Sequence, residues 1–298
     1  MADIAISKTE FAEVPPHISE FSRIRRVFFS RKLSMIGFII IVIVILTAIF
    51  APFIAPYDPY EMNPDGVLLE PSLKHLVGTD TLGRDTLSRI IYGARTSMMV
   101  GIVAIGIAAS VGMTLGMIAG YFGGATYMII MRLVDALMSF PMILLALVLA
   151  ALLGPGLTNV MIALGVGLTS VYTRLMCSQA LTVKENDYIT AARSLGESNI
   201  RIMLRHCLPN CFPPLIVLIT LQMGTAILAE ASLSFLGLGI EPPGAAWGSM
   251  VNEGYKHLLK NPILSFAPGV AIMLTVFAFN MGGDGIRDAL DPRLRGTL

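Results

Sequence analysis

The sequence predicts an all-α, multi-pass membrane protein with six spanning helices, and three observations carry that reading. Thirty-six uncharged residues run from Thr96 to Met131 and thirty-eight from Ala136 to Thr173, with shorter uncharged runs at Leu33–Tyr57, Cys207–Ala229 and Asn261–Gly283. Hydrocarbon about 30 Å thick takes roughly 20 helical residues to cross. The chain of 298 residues is 55% hydrophobic and only 14% charged, against about 25% charge in a soluble domain. Lysine and arginine, finally, are unevenly shared between the two sides that six spans would create.

The long runs divide at their breakers. Gly154-Pro155-Gly156 lies near the middle of the longer one, where proline and glycine end a helix. Gly120-Tyr121-Phe122-Gly123-Gly124 reads as a turn after a single span. The expected spans are 34–54, 98–119, 133–153, 159–178, 211–233 and 264–283. The corresponding organisation is a cytoplasmic segment 1–33, a first span 34–54, an outer loop 55–97, a core 98–283 with an inner loop 181–210, and a cytoplasmic tail 284–298. The first residues are polar and of mixed charge, so they are not read as a cleavable signal.

Orientation follows from the basic residues. With the N-terminus inside, Lys8, the Arg23–Lys32 group, Arg132, Arg174, Lys184, Arg193, Arg201, Arg205, Arg287, Arg293 and Arg295 are inside, fifteen in all. Lys74, Arg84, Arg89, Arg95, Lys256 and Lys260, six, are outside. Both termini are therefore expected in the cytoplasm.

Helix two carries Ala104, Ala108, Gly112, Gly116 and Gly120 at every fourth position. That stripe lets two backbones approach closely, either to a partner subunit or within the chain. Arg132 and Asp135, three apart, can pair on one helix face. Glu230 falls near the outer end of the fifth span; an acid there faces protein or a wetted cavity, as a pathway or gating group or as an interface anchor. The spans are otherwise poor in charge, so a wide, mostly neutral path is expected.

Chemistry-bearing motifs are few. Cys177, Cys207 and Cys211 imply no disulfide framework, and Cys207 and Cys211 flank Pro209 without a second metal-binding pair. No lysine follows glycine in a GxxxxGK[ST] arrangement, so no nucleotide is bound by that route. The net charge of +1 suggests no nucleic-acid partner.

The segment Leu181–Asn210 is more informative. Asn186 or Asp187 can cap a short helix whose apolar face holds Ile189, Ala192 and Leu195; Gly196 ends it; Ser198 can start a second helix that Pro209 stops. Two short helices joined at a glycine make a docking element. Ala191-Ala192-x-x-x-Gly196 followed by Leu208-Pro209 resembles the EAA loop of binding-protein-dependent ABC importer permeases, with Thr190 where that pattern has glutamate.

Further stretches extend the resemblance from about Met35 to Arg295. Gly78-Thr79-Asp80-Thr81-Leu82-Gly83-Arg84-Asp85, Ala119–Gly124, Met131–Asp135, Phe140-Pro141, Ala229–Gly239 with Trp247-Gly248, and Gly282–Arg293 are similar to the C-type permease of the dipeptide/oligopeptide/nickel group. The resemblance implies the type I ABC importer permease fold in a bacterial or archaeal inner membrane. It implies a non-catalytic subunit without its own cofactor, paired with a B-type permease, two ATP-binding subunits that hold ATP-Mg, and an extracytoplasmic substrate-binding protein. It implies that Ala191, Ala192, Gly196, Leu208 and Pro209 couple to the ATPases. Peptide is the default cargo; nickel, glutathione and opines are the alternatives. A secondary transporter or a structural membrane protein is the rival class.

Overall fold

The computed structural model describes residues 20–290, with side chains from Arg25 onward. The expectations for Lys8, Arg293 and Arg295, and for the side chain of Arg23, lie outside the described residues. The described chain is helical, in the order α1 (Glu20–Ser30), α2 (Lys32–Ile54), α3 (Thr86–Phe122), α4 (Gly124–Met138), α5 (Met142–Leu153), α6 (Leu157–Val183), α7 (Asp187–Ser194), α8 (Asn199–Arg201), α9 (Leu208–Phe235), α10 (Trp247–Tyr255) and α11 (Ile263–Leu290). Five stretches are long and apolar enough to cross a membrane, or six if the bent pair α4–α5 is one broken span. One end of the bundle carries α10 and residues 55–85. The other carries α1 and α7. The Arg31–Asp288 ion pair ties the start of α2 and the end of α11 together at the α7 end.

Three expected boundaries move. The second span, expected at 98–119, is the middle of a 37-residue helix, about 55 Å long and well beyond the hydrocarbon thickness. The expected loop 55–97 therefore ends at Asp85, whose carboxylate accepts from Ser88 N–H at 2.8 Å as an N-cap. Arg95 bounds the apolar run in sequence but not the helix, and Arg89, more than one turn before it, is buried, 3.4 Å from Asp80 and facing the carbonyls of Pro59 and Pro243. The third span, expected at 133–153, is two helices bent by 89° at Ser139–Pro141. Pro141 cannot donate to a preceding turn and disfavours helical geometry at Phe140. In the fifth, Pro209 does not stop a helix. A wide turn over Ile202–Cys207 joins α8 to α9, with Leu208 N–H reaching back five residues to Met203 O; this accommodates the bond Pro209 lacks.

The small-residue stripe of α3 packs within the chain. A Cβ on Gly112 would meet Thr169 O at 2.7 Å, and one on Gly116 would meet Thr173 O at 2.4 Å. Gly120 lies as close to Cys177 O, at 2.7 Å. Without side chains between them, the backbones of α3 and α6 touch from Gly112 to Gly120, the arrangement small residues permit in membranes. Around this pair one apolar core takes in Leu168, Tyr172, Met176, Cys211, Ile227 and Phe279. A second, of Ala146, Val160, Leu164 and Leu233, seats α5 on α6.

Candidate functional site

The inner loop is built from two helical pieces with defined ends. α7 begins at Asn186, whose side chain turns back to donate to Val183 O rather than capping the helix. It ends in a paired-carbonyl cap: Gly196 N–H bonds Arg193 O at 2.9 Å and Glu197 N–H bonds Ala192 O at 3.2 Å, the Schellman pattern. Gly196 has φ +79° and open space around its Cβ position, so the constraint there is the left-handed backbone and not crowding. Ser198 Oγ accepts from Arg201 N–H to start α8. His206 Nε2 meets Glu197 Oε2 at 2.9 Å, closing the turn onto the start of α9.

Ile189 and Ala192 point into the bundle and are buried. Ala191, Gly196 and Pro209 are exposed, and Leu208 is half-buried against the core. The outward surface is apolar where it is largest: Leu195 is 84% exposed, Ile200 67% and Leu204 62%. Ile200 and Leu204 line a groove with Met113, Met117 and Ile118 of α3, and Leu195 projects from the cap of α7. Leu195, expected on the inward face, lies outward because it occupies the cap, past the last regular turn.

A residue that the loop's own sequence did not indicate holds it in place. Tyr121, at the end of α3 and 6% exposed, donates its hydroxyl to Asn199 Oδ1 at 2.9 Å. The Arg193 guanidinium carbon stands 5.2 Å from its ring centroid, within cation–π range. One side chain thus contacts both α7 and α8. Its signal in sequence was its place in Gly120-Tyr121-Phe122-Gly123-Gly124, read only as a turn.

Glu230 lies far from this loop along α9. It is fully buried, its carboxylate accepting from Ser97 Oγ at 3.2 Å and Ser234 Oγ at 2.6 Å. It joins α3 to α9 near their α10 ends. Arg132 and Asp135 do not pair: Asp135 binds Arg174 of α6. Helical spacing allowed the local pair, but the facing helix supplies a closer partner.

At the α10 end, residues 57–85 form a compact layer around Asp80. Its Oδ1 accepts from the backbone of Leu82 and Arg84, and its Oδ2 from Arg84 Nε at 2.7 Å. Arg84 also lies 3.6 Å from Glu253 of α10, and Trp247 Nε1 donates to Ile90 O. These contacts attach the layer and α10 to the projecting end of α3. No group of three or more His, Cys, Asp or Glu that could hold a metal is present among the described residues.

Residues 112–296 match the family described as binding-protein-dependent transport system inner membrane component. Residues 19–71 match the N-terminal TM domain of oligopeptide transport permease C. A dipeptide transport system permease protein, DppC, of Alkalihalophilus pseudofirmus is 43% identical over 96% of this chain and 93% of its own length. A di/tripeptide transport system permease protein of Pseudomonas aeruginosa is 41% identical over 91% of both chains. A glutathione transport system permease protein, GsiD, of Escherichia coli is 43% identical over 91% of this chain and 90% of its own. The inward-facing methionine ABC transporter MetNI matches in fold, with a TM-score of 0.57 at 18% identity over 69% of this chain and 97% of its own. The chain therefore belongs to the family of binding-protein-dependent transport system inner membrane components, as a multi-pass inner-membrane permease of the dipeptide/oligopeptide C type.

Proposed function

We propose that this permease imports dipeptides or oligopeptides, and that the α7–α8 element is its handle for two ATP-binding subunits. The observation carrying the coupling role is the combination at that element. A glycine-capped helix is held by Tyr121 and leaves Leu195 exposed at its cap, and the following segment exposes Ile200 and Leu204 beside α3. A surface pinned on one side and apolar on the other can be gripped and moved as a unit. Ala191 and Gly196 keep its front shallow enough to enter a groove, while Leu208 and Pro209 lead the motion into α9.

In this reading the α7 end faces the cytoplasm, a B-type permease covers the bundle's flank, and the layer around Asp80 with α10 receives the binding protein. The basic stretch before α2 lies along anionic lipid, which attracts it by about 1 kcal/mol per basic residue. Glu230 acts in gating, holding α3 against α9 where the outer end must open and close. ATP-Mg is bound by the partner subunits.

Peptide cargo rests on the names of the dipeptide and di/tripeptide relatives. Glutathione, itself a peptide, is the second reading and rests on the equally similar glutathione permease. The purified chain alone should hydrolyse no ATP, and the complex with its ATPases should. Cells lacking the gene should lose uptake of labelled dipeptide or longer peptide. Selective loss of glutathione or nickel uptake, with peptide uptake intact, would replace the peptide reading. Single cysteines at 60–90 and 245–260 should react with an impermeant reagent added outside, and those at 185–205 should not. The reverse pattern overturns the orientation.

A further inference from the structure

A cavity of about 600 Å³ opens between α4 and α6, lined among others by Tyr127, Arg132, Asp135, Arg174 and Ser178. Its charged residues lie on the flank of the bundle, within the helices and not past their ends. Arg174 is nine residues before the end of α6 at Val183, about 14 Å along the axis. Arg132 and Asp135 are eight and eleven residues past the start of α4 at Gly124, about 12 and 17 Å. Those two helix ends adjoin, since a Cβ on Gly123 would lie 3.9 Å from Lys184 Nζ. All three groups thus stand about 12–17 Å along their helices from the α7 end, Arg174 four residues inside the expected span 159–178. They are also uncovered: Arg174 and Asp135 have side chains 50% and 51% exposed, and Arg132 is exposed beside them.

Charges within a span are costly against lipid, and face protein or water instead. The Arg174–Asp135 pair neutralises one guanidinium. Among the described residues, no carboxylate lies within ion-pairing distance of Arg132. The cavity therefore carries one surplus positive charge, presented by a planar donor suited to a carboxylate. We infer that this cavity is part of the translocation path, and that Arg132, beside the Arg174–Asp135 pair, takes the C-terminal carboxylate of the passing peptide. The inference rests on the peptide reading above and replaces the expectation of a mostly neutral path at this level.

The test uses the complete complex with its partner permease and ATPases, in which Ser178→Cys places a thiol on the cavity wall. A charged, membrane-impermeant maleimide should label this subunit of the variant above the same subunit of the wild-type complex, in which this chain's three cysteines are buried, Cys177 beneath the same cavity. Alanyl-alanine should protect the thiol. Its C-terminal amide should protect about tenfold less well, the loss expected for one charge-assisted contact. Arg132→Gln should erase that difference and Arg132→Lys should keep part of it. An unlabelled Ser178→Cys in the assembled complex overturns the inference, because the face is then closed by the partner permease or by lipid. Equal protection by the dipeptide and its amide overturns the carboxylate assignment. Uptake of labelled alanyl-alanine, measured in parallel, tests the cargo separately. Uptake without protection overturns this site alone; absence of both overturns the site and the peptide reading together.

Discussion

The hydroxyl of Tyr121, at the end of a 37-residue helix, donates to the side chain of Asn199, 78 residues away, at 2.9 Å. The same ring carries Arg193 on its face. Displacement of the α7–α8 element is thereby passed to α3, which runs the length of the bundle to the layer at the opposite end. Tyr121→Phe removes the hydrogen bond and keeps the ring, a loss of about 1 kcal/mol. Tyr121→Ala removes both contacts and opens a void, at about 3–5 kcal/mol when a buried aromatic is truncated. In reconstituted complexes the ATP hydrolysed per peptide imported should rise slightly for Phe and strongly for Ala. An unchanged ratio for Ala would mean that force reaches the spans by another route.

Gly196 separates backbone strain from crowding. Its φ of +79° is unfavourable for L side chains, but no atom lies within 4 Å of its Cβ position. Gly196→Asn, which tolerates that conformation, should retain most transport. Gly196→Val should lose most of it, with strain of about 1–2 kcal/mol and a distorted cap. Gly196→Asp should uncouple hydrolysis from transport by placing a charge on the docking face, with membrane insertion intact. If Asn and Val behave alike in an uptake assay, the left-handed cap is not what matters at this position.

Two glycines of the same helix should respond oppositely to alanine. Gly116 would press its new methyl to 2.4 Å from Thr173 O, whereas Gly106 has nothing within 4 Å. Gly116→Ala should destabilise by about 1–3 kcal/mol, as overpacking does, and lower the melting temperature of the solubilised complex. Gly106→Ala should leave it unchanged or slightly higher, since alanine is the better helix former. Equal melting temperatures would refute the close α3–α6 contact.

Asp80 is the anion on which Arg84 and Arg89 both converge, and Arg84 is 2% and Arg89 1% exposed. Asp80→Ala should leave two buried cations without their shared partner, at about 3–5 kcal/mol. The layer of residues 57–85 should then become open to added protease in right-side-out vesicles while the spans remain intact. Persistent resistance would show that Glu253 and the backbone carbonyls suffice to hold the arginines.

Glu230 offers two acceptor oxygens to two serine hydroxyls and meets no cation within ion-pairing distance among the described residues. Glu230→Gln keeps one strong acceptor and should retain substantial transport. Glu230→Leu leaves both hydroxyls without their partner, at about 1–3 kcal/mol each. It should raise ATP hydrolysis by the complex in the absence of binding protein, as the α3–α9 contact loosens. A tight, substrate-dependent ATPase in Glu230→Leu would exclude a gating role.

What the sequence determined by itself was whatever depends on local composition. Apolar length located five long apolar helices and the bent α4–α5 pair, because hydrocarbon thickness is a fixed ruler. The Gly154–Gly156 break was legible because glycine admits the φ of +88° and +134° found there, whereas the bond from Gly156 N–H to Gly239 O was not. So was the turn at Gly196, whose cap is made within α7. Only the tertiary structure decided where distant residues meet. Charge bounded the second span at Arg95 in sequence, yet α3 extends back to Thr86, where Asp85 caps it and Asp80 with the Pro59 and Pro243 carbonyls receives Arg89. Spacing offered Arg132 to Asp135, yet Arg174 on a facing helix took it. Tyr121 read as part of a turn, yet it braces the inner loop. Helix ends and apolar runs are set by neighbours in the chain. Ion pairs, the course of a helix past a buried charge or a proline, and the partner of an aromatic ring are set by whichever helix lies opposite.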